Sequence, residues 1–501
     1  MSPDETCRRR GAAVGLVALT FMATGCSFAP AYSPPNLTVP TAYKEVGPWS
    51  PAQPDDAAPR GDWWTTFNDP ILNRLESQVE VANPTLAAAV AAYDQSRAYA
   101  AEATAQLFPS ISANGASTIN RQSAHRPERG GGQSNVFDAN TVSGNGYYEF
   151  DFWGRIRNLV AAGQAEAQAT AADLATSRLS LQVQLANAYF SLRGLDAEAS
   201  LLDQTVSAYD RALKLTQARH TGGAVSGLDV DRALTQVSSA KAQVSDVAAR
   251  RALFEHAIAS LVGAPASSFS LAPSTVRERI PVIPAGVPSA LLQRRADIAA
   301  AERRAFEANR RIGVARAAFY PTITLAPQGG FQNNAEVNLL SVPNTFWTIG
   351  PQLALGLFEG GYRHDVVAQT RANFLIASDN YRAAVLTAFQ QVEDQLALAS
   401  HYRTEARDEA AAVKAAQATT NLTLIRYREG ATNYLEVVVA QAAELDAEQI
   451  ALNLETERQQ ASVNLIRALG GGWSTQDLPT PAEASRLRAT PSPMAAPPPA
   501  R

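Results

Sequence analysis

The sequence predicts a mainly α protein with a membrane β-barrel portion, built from a duplicated unit of one strand pair and one long coiled-coil hairpin. Three observations carry that class. A turn motif occurs twice: Arg219, Gly223, Leu228, Asp229 and Val230 in RHTGGAVSGLDV return as Arg426, Gly430, Leu435, Glu436 and Val437 in RYREGATNYLEV, at one constant offset with no gap. Such an internal repeat outweighs chain length as a guide to architecture. Each copy lies between two Ala-rich helical patterns too long for a globular core. Each hairpin is also preceded by two segments that alternate apolar and polar residues, the period of a sheet with one apolar face.

Taken in order, residues 1–25 read as a lipoprotein signal peptide. Arg8, Arg9 and Arg10 form a basic region, Gly11 to Met22 an apolar one, and Ala23-Thr24-Gly25 supply small residues before Cys26. The pattern resembles the acylation site of bacterial lipoproteins, with Ala23 where such sites usually carry Leu. The chain has two cysteines. Cys7 would leave with the leader, so the mature chain keeps Cys26 alone and forms no internal disulfide. Acyl chains contribute about 0.8 kcal/mol per buried methylene, and more than one chain gives stable anchoring. Residues 26–61, rich in Pro, Ala and Ser, read as a lipidated extended strap.

Two repeats follow, 62–288 and 289–473. In the first, a helix is expected from Pro70 to Gln106, broken at Phe108-Pro109, then strands at about 108–120 and 141–153 and a helical hairpin over 155–263. In the second, a helix runs from about Ser289 to Ala318 and breaks at Tyr320-Pro321. Strands at about 320–332 and 345–358 and a hairpin over 361–470 come next. The halves stay in step: FPSIS answers YPTIT, and FWGRIR answers FEGGYR. The polar loop from Arg121 to Asn140 holds Gly130, Gly131 and Gly132 but lacks the Lys-Ser/Thr of a phosphate cradle.

No proline interrupts Arg155 to Arg219 or Tyr362 to Arg428, which permits about 65 residues of helix and about 98 Å of length. Leu181, Leu185, Ala188, Leu192, Leu195, Ala199, Leu202, Val206, Tyr209 and Leu213 step by four and three, a heptad seam. Val385, Phe389, Val392, Leu396 and Ala399 begin a similar one. Gly222-Gly223 and Gly430 end the long helices, as residues that accept positive φ do. Ser226 and Asn433 are N-cap candidates for the return helices. Asp229 and Glu436 fall in the first turn, where the helix dipole favours carboxylates; a role at a pore mouth or docking surface is the alternative. Residues 474–501 read as a disordered Pro/Ala-rich tail.

No segment of the mature chain offers about 18 consecutive apolar residues, so no spanning helix is expected. Strands with one apolar and one polar face suit a membrane barrel, whose smallest closed form has about eight strands. One chain supplies four. Either the sheet packs within a soluble α+β protein, or copies combine, three of them giving twelve strands. In a barrel Glu149 and Asp151 would face the lumen. A net charge of −4 leaves no basic footprint for nucleic acid. The five histidines (His125, His220, His256, His364 and His401) lack ligand spacing, and no nucleophile elbow or Walker pattern is present. Neither an enzyme, a bound metal nor a cofactor is expected, apart from covalent lipid on Cys26.

DWWTTFNDPILNRL (62–75), LLQRRADIAAAERRAFEANRRIGVARAAFYPTITL (291–325), the two turn motifs and ALGGGW (468–473) together resemble the outer-membrane factor family, the TolC-like exit ducts, in its NodT/OprM-type lipoprotein branch. The likeness covers nearly the whole mature chain. It implies a homotrimer with a twelve-stranded barrel in the bacterial outer membrane, continued by an α-helical barrel across the periplasm. Partners are a periplasmic adaptor protein, an inner-membrane transporter of the RND type and outer-membrane lipid. By the same resemblance Arg219, Gly223, Leu228, Asp229, Val230, Arg426, Gly430, Leu435, Glu436 and Val437 are adaptor-docking tips, with the two arginines holding carbonyls or acids. Asp231, Leu435 and Val439 lie at the periplasmic aperture. Val439 stands where relatives of the OprM type commonly carry an aspartate, so Leu435 becomes a candidate apolar constriction. The implied function is passive conduction of small molecules in tripartite efflux. Type I protein secretion, metal-ion export and a non-conducting envelope lipoprotein are the alternatives.

Overall fold

The computed structural model describes residues 27–45, 61–125, 134–275, 280, 281, 283, 288–334 and 338–486. The signal segment, Cys26, Gly130 to Gly132 and residues 487–501 lie outside the described residues. The helices are α1 (Pro70–Ala82), α2 (Pro84–Ala105), α3 (Arg155–Thr221), α4 (Gly227–Leu261), α5 (Ala296–Ala317), α6 (Tyr362–Arg428) and α7 (Tyr434–Ala468). The strands are β1 (Ser110–Arg121), β2 (Val136–Glu149), β3 (Thr322–Leu325), β4 (Gln328–Asn333), β5 (Thr345–Thr348) and β6 (Pro351–Ala354).

The helix expected over 70–106 is two helices. Pro84 disfavours the α conformation for the residue before it, and Asn83 is extended, with its side chain accepting from the Leu86 amide. The helix expected from Ser289 likewise restarts at Ala296, because Arg295 is extended and anchors to Asp297, Gln391 and the Ala468 carbonyl. α3 and α6 are each 67 residues without a break, about 100 Å at 1.5 Å per residue. The heptad seam is buried at Leu185, Leu192 and Leu202 in α3 and at Val385, Val392 and Leu396 in α6. Together α6, α7, α3 and α4 form one ribbon, with α3 packed between α4 and α7. Gly194 permits the α3–α7 crossing, since a Cβ there would lie 2.3 Å from Thr456 Oγ1.

The six strand segments are four strands in an antiparallel sheet. β1 pairs with β2, β2 with β4 and β3, and these with β5 and β6. The register runs unbroken past Pro327, which lacks the N–H that a ladder bond needs. Pairing extends the first strands beyond expectation: the loop shortens to 122–135. Cross-strand partners put Ile111, Val142, Phe331, Trp347, Ile323 and Leu353 on one face. Ser110, Ser112, Ser143, Gln328, Thr324 and Gln352 share the other, with Phe137, Tyr147 and Phe346 as its large exceptions. Among the described residues this apolar face is largely uncovered: Ile111 is 86%, Trp347 76% and Leu353 67% exposed. Among the described residues no helix is long and apolar enough to cross a membrane.

Midway along the helices sits the main core. Trp63, Trp64 and Phe67 pack with Leu72 and Leu75 of α1 against Leu185, Tyr189 and Phe190 of α3 and Ile258 of α4. Trp63 Nε1 donates to Gln182 Oε1 at 3.1 Å. Asp69 caps α1 through the amides of Ile71 and Leu72 and accepts the Tyr189 hydroxyl. The tail expected to be disordered from 474 is ordered to 486: capping boxes start short helical turns at Ser474 and Thr480, and Ala484 is fully buried beside Ala100 and Ala167.

Candidate functional site at the paired hairpin tips

Both turns use the same device. Gly223 has φ 73° and Gly430 φ 78°, a region that costs a residue with a Cβ about 1 kcal/mol or more. The amides of Ala224 and Ala431 each donate 2.8 Å back to the carbonyls of Arg219 and Arg426, closing the last turn as a Schellman motif does. Asn433 caps α7 by accepting from the Glu436 amide at 3.2 Å. Ser226 occupies the matching place before α4 but makes no side-chain cap bond. Asp229 pairs with Arg232 at 3.4 Å rather than with the second tip.

The two tips then part ways. Tyr427 and Tyr434 are each 1% exposed, their rings 5.3 Å apart, and they pack with Tyr209, Leu213, Ala233, Val237 and Val437 in one cluster. At the equivalent places the first copy has His220 and Gly227, both exposed. Thus the second tip supplies the interior of the joint. Tyr209 donates to the Gln441 carbonyl at 3.2 Å, and Thr216 Oγ1 lies 3.2 Å from the Tyr427 hydroxyl. Burial pushes the Tyr434 hydroxyl up to about 12. That hydroxyl and Gln441 Oε1 are buried without a hydrogen bond, a cost of about 1–3 kcal/mol each that the closed joint carries.

Arg219 crosses between the tips. Its guanidinium donates to the Tyr427 carbonyl and stands 4.6 Å from that ring's centroid. Arg426, its counterpart, is exposed. Three of the outward positions are apolar: Leu228 is 58%, Leu435 45% and Val439 61% exposed. Leu435 and Val439, four residues apart, share a side of α7. Asp231 is exposed on α4 and Val230 half-buried against the cluster. The structure therefore joins Arg219, Val230 and Val437 inside one contact and leaves Leu228, Asp231, Leu435, Glu436 and Val439 facing out.

At the other end of α3, Glu149 lies on the sheet's polar face and holds Arg155 by two bonds of 2.8 and 2.7 Å. Asp151, expected beside it as a second lumen charge, instead caps α3: it accepts from the amides of Ile156 and Arg157 at 3.1 and 2.9 Å. Gly154, at the cap position, has no side chain to do so. Nearby Phe28 stacks on Tyr320 at 4.4 Å, and Tyr320 on Trp153 at 4.9 Å, an aromatic group just below the strands. Among the described residues no cluster of His, Cys, Asp or Glu is placed to hold a metal.

An apolar-faced sheet, two helices of about 100 Å and paired tips at their far end describe a duct. The family model for outer membrane efflux proteins matches residues 75–264 and 287–471. The chain belongs to that family. This efflux protein is similar to the probable efflux pump outer membrane protein TtgC of Pseudomonas putida, 30% identical over 466 residues that cover 92% of the chain and 96% of the relative. It is equally similar to the outer membrane protein OprJ of Pseudomonas aeruginosa, 30% identical over 467 residues, 92% of the chain and 96% of that protein. Its fold matches the solved outer-membrane channel OprN with a TM-score of 0.81 at 26% identity, covering 89% of this chain and all of that one. The efflux protein is an outer-membrane exit duct with a long periplasmic helical part.

Proposed function

We propose that three copies assemble the working duct and that the tip joint is its closed gate. The carrying observation is the four-stranded sheet with one bare apolar face and two unpaired edges. In a bilayer those edge N–H and C=O groups have no water to satisfy them, so the sheet must close on other copies; three copies give twelve strands. The exposed flanks of α4 and α6 then meet in the same ring. Glu149, on the polar face, turns to the lumen.

The exposed tip residues Leu228, Leu435 and Glu436, with the half-buried Asp229 beside them, form the surface that meets a periplasmic adaptor, which couples the duct to an inner-membrane transporter of the RND type. Leu435 and Val439 narrow the aperture, with Asp231 beside them. Energy comes from the transporter; the duct conducts passively and performs no catalysis. Lipid on Cys26 would anchor the N-terminal strap, whose Phe28 stacks in the aromatic group just below the strands, where rings of this kind favour the membrane interface. Relatives named for antibiotic and toluene efflux favour small, partly apolar cargo over protein secretion or metal export. Deleting the gene and measuring accumulation of dyes, antibiotics, solvents and metal ions tests this: small apolar compounds should accumulate, and no change for any compound contradicts efflux.

A further inference from the structure

The structure assigns a charged belt on the inner wall of the upper helical barrel, made by Glu166 and Asp173 of α3 with Arg304, Glu307 and Arg311 of α5, as the element that sets the duct's ion selectivity. The inference rests on the duct reading above. Its first support is that both terminal segments cover the opposite side of the same helices. Tyr32 donates to Glu302 Oε1 at 2.7 Å and sets its ring edge-on to Phe306; Arg316 donates to the Phe28 carbonyl at 3.2 Å; and Ala29 lies against Gly313. At about 100° per residue, Glu302, Phe306, Gly313 and Arg316 form one face of α5, and Arg304 and Arg311 lie about half a turn away. This strap follows Cys26 in the sequence, and the acyl chains proposed there would reach lipid only outside the barrel wall.

On α3 the C-terminal tail marks the same outer side. Gln168 donates to the Pro479 carbonyl at 2.8 Å, and Gln164 to Ser485 at 3.4 Å. Glu166 and Asp173 point the other way. They also fall about three and five full turns beyond Arg155, the residue held by Glu149 on the polar face of the sheet. The polar barrel face and the charged helical face are thus one continuous surface.

Glu166, Arg304, Glu307 and Arg311 line a groove of about 430 Å³ between α3, α5 and α6, and Asp173 joins them through Arg304. Arg304 donates to both carboxylate oxygens of Asp173 and lies 3.8 Å from Glu166, and Arg311 pairs with Glu307. Three carboxylates against two guanidinium groups leave a net negative charge on each chain. Asp173 and Glu166 keep 41% and 44% of their side-chain surface open, so the charge acts on passing ions rather than being sealed in pairs. A belt of this sign favours cations, and the effect grows as salt is lowered and the screening length rises from about 10 Å at 0.1 M to about 30 Å at 0.01 M.

Reversal potentials across a KCl gradient test the assignment with full-length protein in planar bilayers. Glu166→Gln with Glu307→Gln should lower the K⁺ to Cl⁻ permeability ratio by about twofold or more, the scale of unit charges acting through water at about 10 Å. Arg304→Gln with Arg311→Gln should raise it by a similar factor. Opposite shifts separate charge from misfolding, which would reduce the number of channels in both variants without moving their reversal potentials in opposite directions. If wild-type channels form and both variants keep the wild-type reversal potential, the belt assignment is wrong while the duct stands. If wild-type protein forms no channels, the duct reading itself fails.

Discussion

Arg219 of the first tip donates to the backbone carbonyl of Tyr427 in the second and holds its guanidinium carbon 4.6 Å from that residue's ring centroid. One side chain thereby ties the two hairpins of a chain at the end farthest from the membrane. A charged hydrogen bond contributes about 1.5–3 kcal/mol and a partly desolvated cation–π contact about 0.5–2 kcal/mol. Every 1.4 kcal/mol is a factor of about ten between closed and open tips. Arg219→Gln is expected to raise the open fraction at least tenfold, read as longer and larger openings in single-channel records. Arg426→Gln, which removes an exposed side chain, should not. Equal effects of the two variants would show that the latch does not control opening.

Leu435 and Val439 stand out from the joint on one side of α7, so on the proposed aperture role shortening Leu435 should widen the opening without touching the Tyr427–Tyr434 core. Leu435→Ala should raise conductance while leaving the melting temperature near that of wild type. Unchanged conductance removes Leu435 from the gate.

Tyr434 fills the joint where the first copy has only Gly227. Tyr434→Ala removes a fully buried ring, a change that typically costs about 3–5 kcal/mol locally. Amide hydrogen exchange should rise across the last turns of α6 and the first of α7, with the strands and the central core unchanged. Protection that falls equally everywhere would mean the tips do not open as a unit.

Glu76 of α1 is fully buried with both carboxylate oxygens unpaired. Burial, aided by the neighbouring Glu80, pushes its carboxyl from 4.5 up to about 9. A raised folded-state value means stability is fully present below about pH 4.5 and is lost progressively as the pH rises through about 9. Glu76→Gln should therefore melt higher than wild type at pH 8, by on the order of 1–3 kcal/mol, with the two curves converging near pH 4. Parallel curves across that range would place a counter-charge or water beside Glu76.

Much of this was legible in the repeat. Two copies in register disclosed the strand pairs, the proline-free helices and the glycine turns, because each rests on local rules that a sequence displays. Pro84, read past in the sequence, splits the first helix, and the ladder with β1 carries β2 back to Val136 where alternation alone stopped short. Asp151 looked like the partner of Glu149 on a strand; only the three-dimensional bend at Gly154 shows that its carboxylate faces helix amides. The alanines of the tail gave no period, yet Ala484 is small enough to enter a groove between α2 and α3. The joint itself went unread because Tyr209, Tyr427 and Tyr434 come from three helices. The sequence does show that the copies differ, with Tyr434 in the second where the first has Gly227, but not that this ring packs on Tyr209 and Tyr427.

The central claim, that the chain builds a duct gated at its tips, meets its most direct test in planar-bilayer recordings of the purified full-length protein beside Arg219→Gln. The account predicts discrete, mostly closed channels for wild type and larger, more frequent openings for the variant. Wild-type protein that inserts and leaves no conductance steps in either form at any voltage would contradict it.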